Sequence, residues 1–298
     1  MTGSDAKDYL HRMTTANAQE LQTGQGTLGC FLTAQAKIRS FFRLWQIDKG
    51  DFAFELDAGL EAHWKTGLLT AIDQFHFGEK FVIHDHPKGL ECLWAFGAMP
   101  ATALAAESAS EAKLTHAFDE VSGCHVCHQG PGDYGRPWVT VWGTASQIET
   151  WQRGHAAATQ SVDFEELEAW RIQALRPRAD TEIREDSIPL EIGLKDSIAD
   201  NKGCYPGQEV IEKIVALGAP ARRLALIEGH GQIPVSGDKI LNSAEPPSEV
   251  GQVTSVTHEA SGNFYALGVL RKTHAKEGLE VKFGTGSAGK VVRIAPYV

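Results

Sequence analysis

The densest chemistry in the chain lies at Asn201-Lys202-Gly203-Cys204-Tyr205-Pro206-Gly207-Gln208-Glu209. From Lys202 on, a cation, a thiol, a phenol, an amide and a carboxylate follow one another, broken by two glycines and a proline. Next, Val210, Ile211, Ile214, Val215 and Leu217 recur with helical spacing, and Gly218 and Pro220 supply a stop. The polar cluster is therefore expected on a turn at the amino end of a short helix. There, free backbone N–H groups and the helix dipole favour anions and thiolates. Lys202, two residues before Cys204, would add to that effect and make the thiol more reactive than a buried one. Gly203 and Gly207 let the backbone approach a ligand, and Tyr205 offers a flat face for stacking. A plainer reading fits the same spacing: a glycine-rich turn that caps a helix, with Cys204 simply buried. Glu209 and Lys213, four apart, also read as an ordinary helix-surface pair.

A second cluster is Cys124-His125-Val126-Cys127-His128. C-x-x-C-H is the attachment pattern for c-type haem. That attachment needs an exported apoprotein, and the first eight residues carry no basic region followed by an apolar one. Two thiols and two imidazoles could instead hold zinc or part of a cluster, with Cys124, Cys127 and His128 as candidate ligands. A complete site would want more, from Cys204 or another chain. The flanks, Ser122-Gly123 and Gln129-Gly130-Pro131-Gly132-Asp133, read as an exposed loop, so a variable loop is the plain alternative. His84-Asp85-His86 sets two imidazoles on one face of a strand without an evident third ligand, and reads as a polar strand end.

A chain of 298 residues has room for a large core and is expected to form two domains. A formal charge of −10 makes it a poor match for a phosphate backbone, so no direct nucleic-acid binding is expected. Arg222-Arg223 is the tight basic pair to watch, and its plain reading is a solvated surface. No apolar run reaches the roughly twenty residues of a membrane span, so no membrane partner is expected. Five cysteines, an odd number in a large chain, point to reduced thiols and a cytoplasmic location.

The elements that must hold these clusters follow from periodicity. Tyr9, Leu10, Met13 and Leu21 give a helix near the start that Asp5 can cap. Leu28, Cys30 and Leu32, then Ile38 to Ile47, predict paired strands joined through Thr33-Ala34-Gln35-Ala36. Phe52–Leu56 predicts a strand, Asp57-Ala58-Gly59 a turn, 60–75 a helix with Leu60, Trp64, Leu68, Leu69 and Ile72 inward, and Phe81–Ile83 a strand. A hairpin followed by β-α-β is the rhythm of a ferredoxin-like lobe. Leu90–Phe96 opens a second set of strands, 101–118 reads as an alanine-rich loop with a helical turn, and 138–143 is a strand. Helical patterns follow at 145–158 and 163–174. Past Pro220, short strands at 224–228, 250–256, 264–270, 279–283 and 290–294 predict a small antiparallel barrel.

Lys202-Gly203-Cys204-Tyr205-x-Gly207-Gln208-Glu209 resembles, letter for letter, the K-G-C-Y-x-G-Q-E signature of the YgfZ-type folate-binding proteins. These are relatives of the aminomethyltransferase (T-protein) of the glycine cleavage system. Looser matches span the chain: Gly3, Asp5, Tyr9 and Leu10; Gly135-Arg136; Arg171-Ile172; Ile188 to Glu191; and Gly251-Gln252-Val253-Thr254-Ser255. The resemblance implies an α+β fold: a folate-binding domain over 1–220 made of two ferredoxin-like lobes, then a small antiparallel β-barrel over 221–298, around a central cavity. It implies tetrahydrofolate binding and a role in iron–sulfur protein maturation or repair, including tRNA-modifying iron–sulfur enzymes. Those enzymes, or assembly factors, would be the partners. The implied site puts the pteridine near Lys202 and Tyr205, with Lys202 on the glutamate tail or a polarised ring atom. Cys204 is the implied reactive and catalytic thiol, Gln208 and Glu209 shape the turn, and Glu191 is a second hydrogen-bonding candidate for the pterin, or else a solvated carboxylate.

Two departures from the family's pattern bear on activity. Where aminomethyltransferases carry a catalytic aspartate, the chain reads Lys37-Ile38-Arg39-Ser40, without a carboxylate, so aminomethyl transfer would lack its main group. Gln173 and Leu175 replace the glutamate and glycine of an R-[IV]-E-x-G-x-P segment, which implies altered folate binding. The resemblance thus favours a folate-binding protein that is not a classical aminomethyltransferase and leaves turnover open. The rivals are a folate-dependent aminomethyltransferase or demethylase, and a haem- or metal-binding redox protein built on Cys124 and Cys127.

Overall fold

Apolar alternation and tight turns pair the first strands as expected. In a computed structural model, β1 (Gln25–Leu32) and β2 (Ile38–Asp48) run antiparallel, from Gln25 opposite Gln46 to Cys30 opposite Phe41, and β3 (Asp51–Glu55) adds to β2. The structure describes the chain except residues 57–61, 87, 98–113, 130–133, 156–159, 201, 285 and 298. The expected turn at 57–59, Leu60 and the alanine-rich stretch up to 113 therefore lie outside the described residues. Helices α1 (Ala6–Met13) and α2 (Ala62–Asp73) cover one face of these strands. Tyr9, Leu10, Leu68 and Ile72 pack there on Phe31, Phe42, Leu44 and Phe52. Asp5 does not cap α1 with its side chain; it accepts instead from the Lys80 N–H at 2.8 Å.

The second set of strands is β4 (Leu90–Phe96), β5 (Leu114–Asp119), β6 (Cys124–His128) and β7 (Trp138–Thr144), with α3 (Ala145–His155) on its outer face. The two lobes share one seven-stranded antiparallel sheet, in the order β3-β2-β1-β5-β6-β7-β4. Among the described residues they meet at two residue pairs, Gln25–Thr115 and Gly26–Leu114. Glycine is required at 26, because a Cβ would stand 2.4 Å from the Trp45 ring. The sheet curls so far that Glu55 on β3 accepts from the Thr140 hydroxyl on β7 at 3.0 Å.

Three local expectations are corrected. Residues 124–128 are not an exposed loop but strand β6, hydrogen-bonded between β5 and β7 with both cysteines buried. Burial of side chains on both faces hid it from a period-two pattern. Residues 114–119 are strand β5, which reaches into the stretch read as a loop. Phe81–Ile83 makes a single bridge, Val82 to Thr2, in place of a strand.

Two helices lead to the barrel: α4 (Phe164–Gln173) and α5 (Gln208–Ala216). The barrel is closed by β8 (Arg222–His230), β9 (Lys239–Leu241), β10 (Glu249–His258), β11 (Asn263–Arg271), β12 (Glu280–Phe283) and β13 (Ala288–Ile294). Ile227, Ile240, Val253, Phe264, Phe283 and Val291 fill it. Strand β9, three residues long, is too short for alternation to reveal.

Candidate functional site

Two contacts fix the turn before α5. Gly207 takes φ +86°, and a Cβ there would stand 2.7 Å from the Thr33 carbonyl oxygen and 3.0 Å from Ala36 Cα. Glycine thus lets the turn lie against the β1–β2 loop. On the buried side of α5, Ile211 packs with Val210 and Ile214 onto Cys30, Leu32, Phe41 and Ile198.

Lys202 reaches away from solvent to the carboxyl end of α1. Its ammonium donates to the carbonyl oxygens of His11 at 2.5 Å, Ala16 at 2.8 Å and Thr14. The three N–H bonds of the side chain are thereby used, so Lys202 can offer a ligand charge but no further hydrogen bond. It also lies 5.0 Å from the Tyr205 ring centroid, a cation–π contact. Burial lowers its pKa to about 8. Tyr205 is half-buried, and burial, helped by the charge of Glu212, raises its hydroxyl to about 12.

Beside this turn is a hollow of ≈ 350 Å³. Lys202, Tyr205 and Gln208 line it with an apolar floor of Leu190, Ile198 and Ile211. Its rim carries Lys195 paired to Asp200 at 2.9 Å, and Gln208 donating to Glu212 at 2.6 Å. Cys204 is exposed and stands next to the hollow without lining it. Glu191 is elsewhere: it lines a second cleft and pairs with Arg222 at 3.1 Å. The structure thus gathers three of the five expected binding residues on one hollow, leaves Cys204 at its edge and sets Glu191 apart.

The β2 positions compared with the transferase aspartate hold no carboxylate: Arg39 donates to Gln74 at 2.7 Å, and Ser40 is fully buried. A carboxylate that sequence reasoning missed lies on the inner face of the curled sheet. Glu55 accepts there from Trp45 Nε1 at 3.0 Å, Thr140 Oγ1 at 3.0 Å and Gln129 Nε2 at 3.1 and 3.2 Å. Next to it are Trp94, Phe96, Tyr134 and Trp138, ring against ring at 5.1 to 6.5 Å. The indole N–H of Trp138 and the amide oxygen of Gln129 are buried without a hydrogen-bond partner. Only the aromatic richness of 134–142 hinted at this surface; the partners come from β2, β3 and Gln129, just after β6.

The strand does not direct Cys124 and Cys127 to one point. Cys124 and Cys127 are an odd number of residues apart on a strand and point to opposite faces. Cys124 packs with Ile148 and Trp151, while Cys127 faces inward, where burial holds its thiol well above the ordinary range. Metal binding needs thiolates. Among the described residues no group of three or more His, Cys, Asp or Glu could hold a metal ion.

Two of the other motif fragments, Arg171-Ile172 and Gly251 to Ser255, meet in one buried network. Arg171 on α4 bonds Glu168 at 2.6 and 2.7 Å, Glu182 at 3.3 Å and Ser255 Oγ at 2.7 Å, and Ser255 donates to Glu182 at 2.6 Å. Arg171 and Ser255 therefore fasten the first 190 or so residues, on the order of a large domain, to the barrel.

A curled antiparallel sheet with a closed six-stranded barrel is the fold of the glycine cleavage aminomethyltransferases. Aminomethyltransferase T of Bartonella henselae superposes with a TM-score of 0.79 at 18% identity, over 100% of this chain and 82% of that one. In sequence, a putative chloroplastic transferase of Arabidopsis thaliana is 26% identical over 319 residues, covering 100% of this chain and 68% of the relative. The tRNA-modifying protein YgfZ of Yersinia pestis is 24% identical over 281 residues, 93% of this chain and 82% of its own. Its namesake in Aliivibrio fischeri is 24% identical over 277 residues. No family model matches the chain. In fold the chain is thus like the aminomethyltransferases, and along nearly all of its own length its sequence is similar to YgfZ proteins and a putative transferase.

Proposed function

We propose that the chain is a tetrahydrofolate-binding protein that supports the maturation or repair of iron–sulfur proteins, tRNA-modifying enzymes among them, without classical aminomethyl transfer. One observation carries this reading: the signature turn brings Tyr205, Lys202 and Gln208 to the wall of a hollow of ≈ 350 Å³, with an exposed thiol at its edge. Such a volume suits a small ligand. Tyr205 would stack on the pteridine, Gln208 would meet its polar edge and Lys202 would supply charge to the ring or the glutamate tail. Cys204 would be the reactive thiol facing a client protein. Glu191 enters the reading only if the ligand extends into the neighbouring cleft. Five free cysteines fit a reducing cytoplasm.

The test is a calorimetric titration with tetrahydrofolate. Wild type is expected to bind, and Tyr205→Ala to bind about fivefold more weakly, since loss of an aromatic stack costs about 1 kcal/mol. Within the same reading, the inner aromatic face offers a second seat for a flat ring, because Trp138 and Gln129 keep an unused donor and acceptor there. A loss with Trp138→Phe and not with Tyr205→Ala would move the ligand to that face. No binding by wild type would end the folate reading. A steady-state assay with an aminomethyl or methylated-amine donor separates it from the enzymatic rival, and turnover would favour the latter.

A further inference from the structure

We infer that the cleft between residues 181–192 and the barrel is a site for an oxyanion, a carboxylate or phosphoryl group held between Arg222 and Arg271. The cleft encloses ≈ 310 Å³. Its key feature is the register of two barrel strands: Arg222 on β8 stands directly opposite Arg271 on β11. Directly opposed residues of an antiparallel pair share a face, and both guanidiniums line the cleft. Like charges so placed repel each other and weaken the pairing unless an anion lies between or beside them.

One of the two is answered by the protein. Glu191, a buried carboxylate, takes Arg222 at 3.1 and 3.5 Å. Arg271 has no carboxylate partner among the described residues. The other acids of the cleft are engaged: Glu182 with Arg171 and Ser255, Glu249 with Lys239 at 3.0 Å, and Asp186 with Arg184 at 3.6 Å. The unmet charge in the cleft is therefore on Arg271, backed by Arg222. A planar guanidinium fork matches two oxygens of one anion, the geometry shared by carboxylates and phosphoryl groups.

The neighbouring arginine in the sequence does not compete. Arg223 turns to the other face of β8, donates to the Ala295 carbonyl at 2.7 Å and lies 4.7 Å from the Tyr297 ring. The tight basic pair of the sequence is thus divided, and a cross-strand pair replaces it. The cleft is also separate from the signature hollow: consecutive residues divide them, Leu190 lining the hollow and Glu191 the cleft. If the folate reading holds, γ-linked glutamate carboxylates of a folate tail are one source of the oxyanion. A phosphorylated small molecule is the other.

The experiment is calorimetry at low salt on the full chain, with three probes: inorganic phosphate, monoglutamyl tetrahydrofolate and triglutamyl tetrahydrofolate. Wild type is compared with Arg271→Gln, an exposed position where folding is not at stake, and with Lys282→Gln, an exposed barrel cation outside the cleft. A carboxylate source predicts that wild type prefers the triglutamyl form by about tenfold, one charge-assisted bond's worth, and that Arg271→Gln loses the preference. A phosphoryl source predicts phosphate binding that Arg271→Gln weakens by a similar factor. In both, Lys282→Gln behaves as wild type. The inference is overturned if Arg271→Gln matches wild type with every probe, or if Lys282→Gln loses as much. If wild type binds phosphate but no folate, the folate reading falls and the oxyanion site stands.

Discussion

The ammonium of Lys202 ends on three carbonyl oxygens at the carboxyl end of α1, where the helix dipole also favours positive charge. Those contacts tie the turn that carries Cys204 to a helix nearly two hundred residues earlier in the chain, which is why its neighbours in sequence gave no sign of them. The signature itself was legible, as were the turn and the helix after it. The partners of Lys202 and the separation of Glu191 were not, because both depend on long-range packing. Replacing Lys202 by methionine keeps the stem and removes three bonds, so a loss of about 2 kcal/mol is expected in urea unfolding at neutral pH. Burial sets the folded pKa near 8, below the ordinary 10.5 of lysine. Between these values the unfolded chain holds a proton that the folded one has released, so the contribution of Lys202 to stability rises with pH. The gap between wild type and Lys202→Met should therefore widen from pH 7.5 to pH 10. A gap that narrows would mean that the carbonyl cage, and not burial, sets the charge of this lysine.

Strands β5 and β6 show what the pattern of a single element can hide. The glycine-rich sequence on either side of 124–128 reads as a loop, whereas 124–128 is a strand inside the sheet and buried on both faces. The strands β1, β2 and β3 were legible because one face packs under helices and the alternation survives. On the inner side of the β5–β6 pair, His116 Nε2 and His125 Nδ1 share a hydrogen bond of 2.8 Å. Burial first, and the neighbouring His125 second, lower the pKa of His116 to about 4, and burial lowers His125 as well. An unfolded imidazole takes its proton near 6.5, so from there down to about 4 the unfolded state gains protons that the folded ring refuses. Stability is lost over that window as the pH falls. His116→Gln removes one titrating ring and keeps a polar group, so its urea midpoint should fall less than that of wild type between pH 7 and pH 4.5. Equal losses would place the acid sensitivity elsewhere.

At the scale of the whole molecule, the sheet and the barrel are fastened by a few fully buried charges, not by a broad apolar seam alone. Arg171 and Glu182 are 2% and 0% exposed in their side chains, and Ser255 from β10 bonds to both. The two segments that resemble family motifs, Arg171-Ile172 and Gly251 to Ser255, thus meet in space. In the sequence their shared purpose was invisible, because neither names the other as partner. A buried ion pair adds little net stability beyond a well-packed apolar pair, but removing one member strands a charge in a medium that cannot solvate it. Glu182→Gln should therefore cost about 3 kcal/mol, and Arg171→Met a similar amount. Because the two residues share partners, their effects should not add. The double variant Arg171→Met/Glu182→Leu strands neither member of the pair, leaves the partly exposed Glu168 to Arg178 at 3.5 Å, and should recover a large part of either loss, by about 1 to 2 kcal/mol relative to the worse single variant. Urea midpoints followed by far-ultraviolet dichroism and by tryptophan fluorescence would read both variants, since the tryptophans lie in the first 170 residues or so, and none in the barrel. Additive losses in the double variant would mean that each residue holds its own side of the joint, and that the network is not one unit.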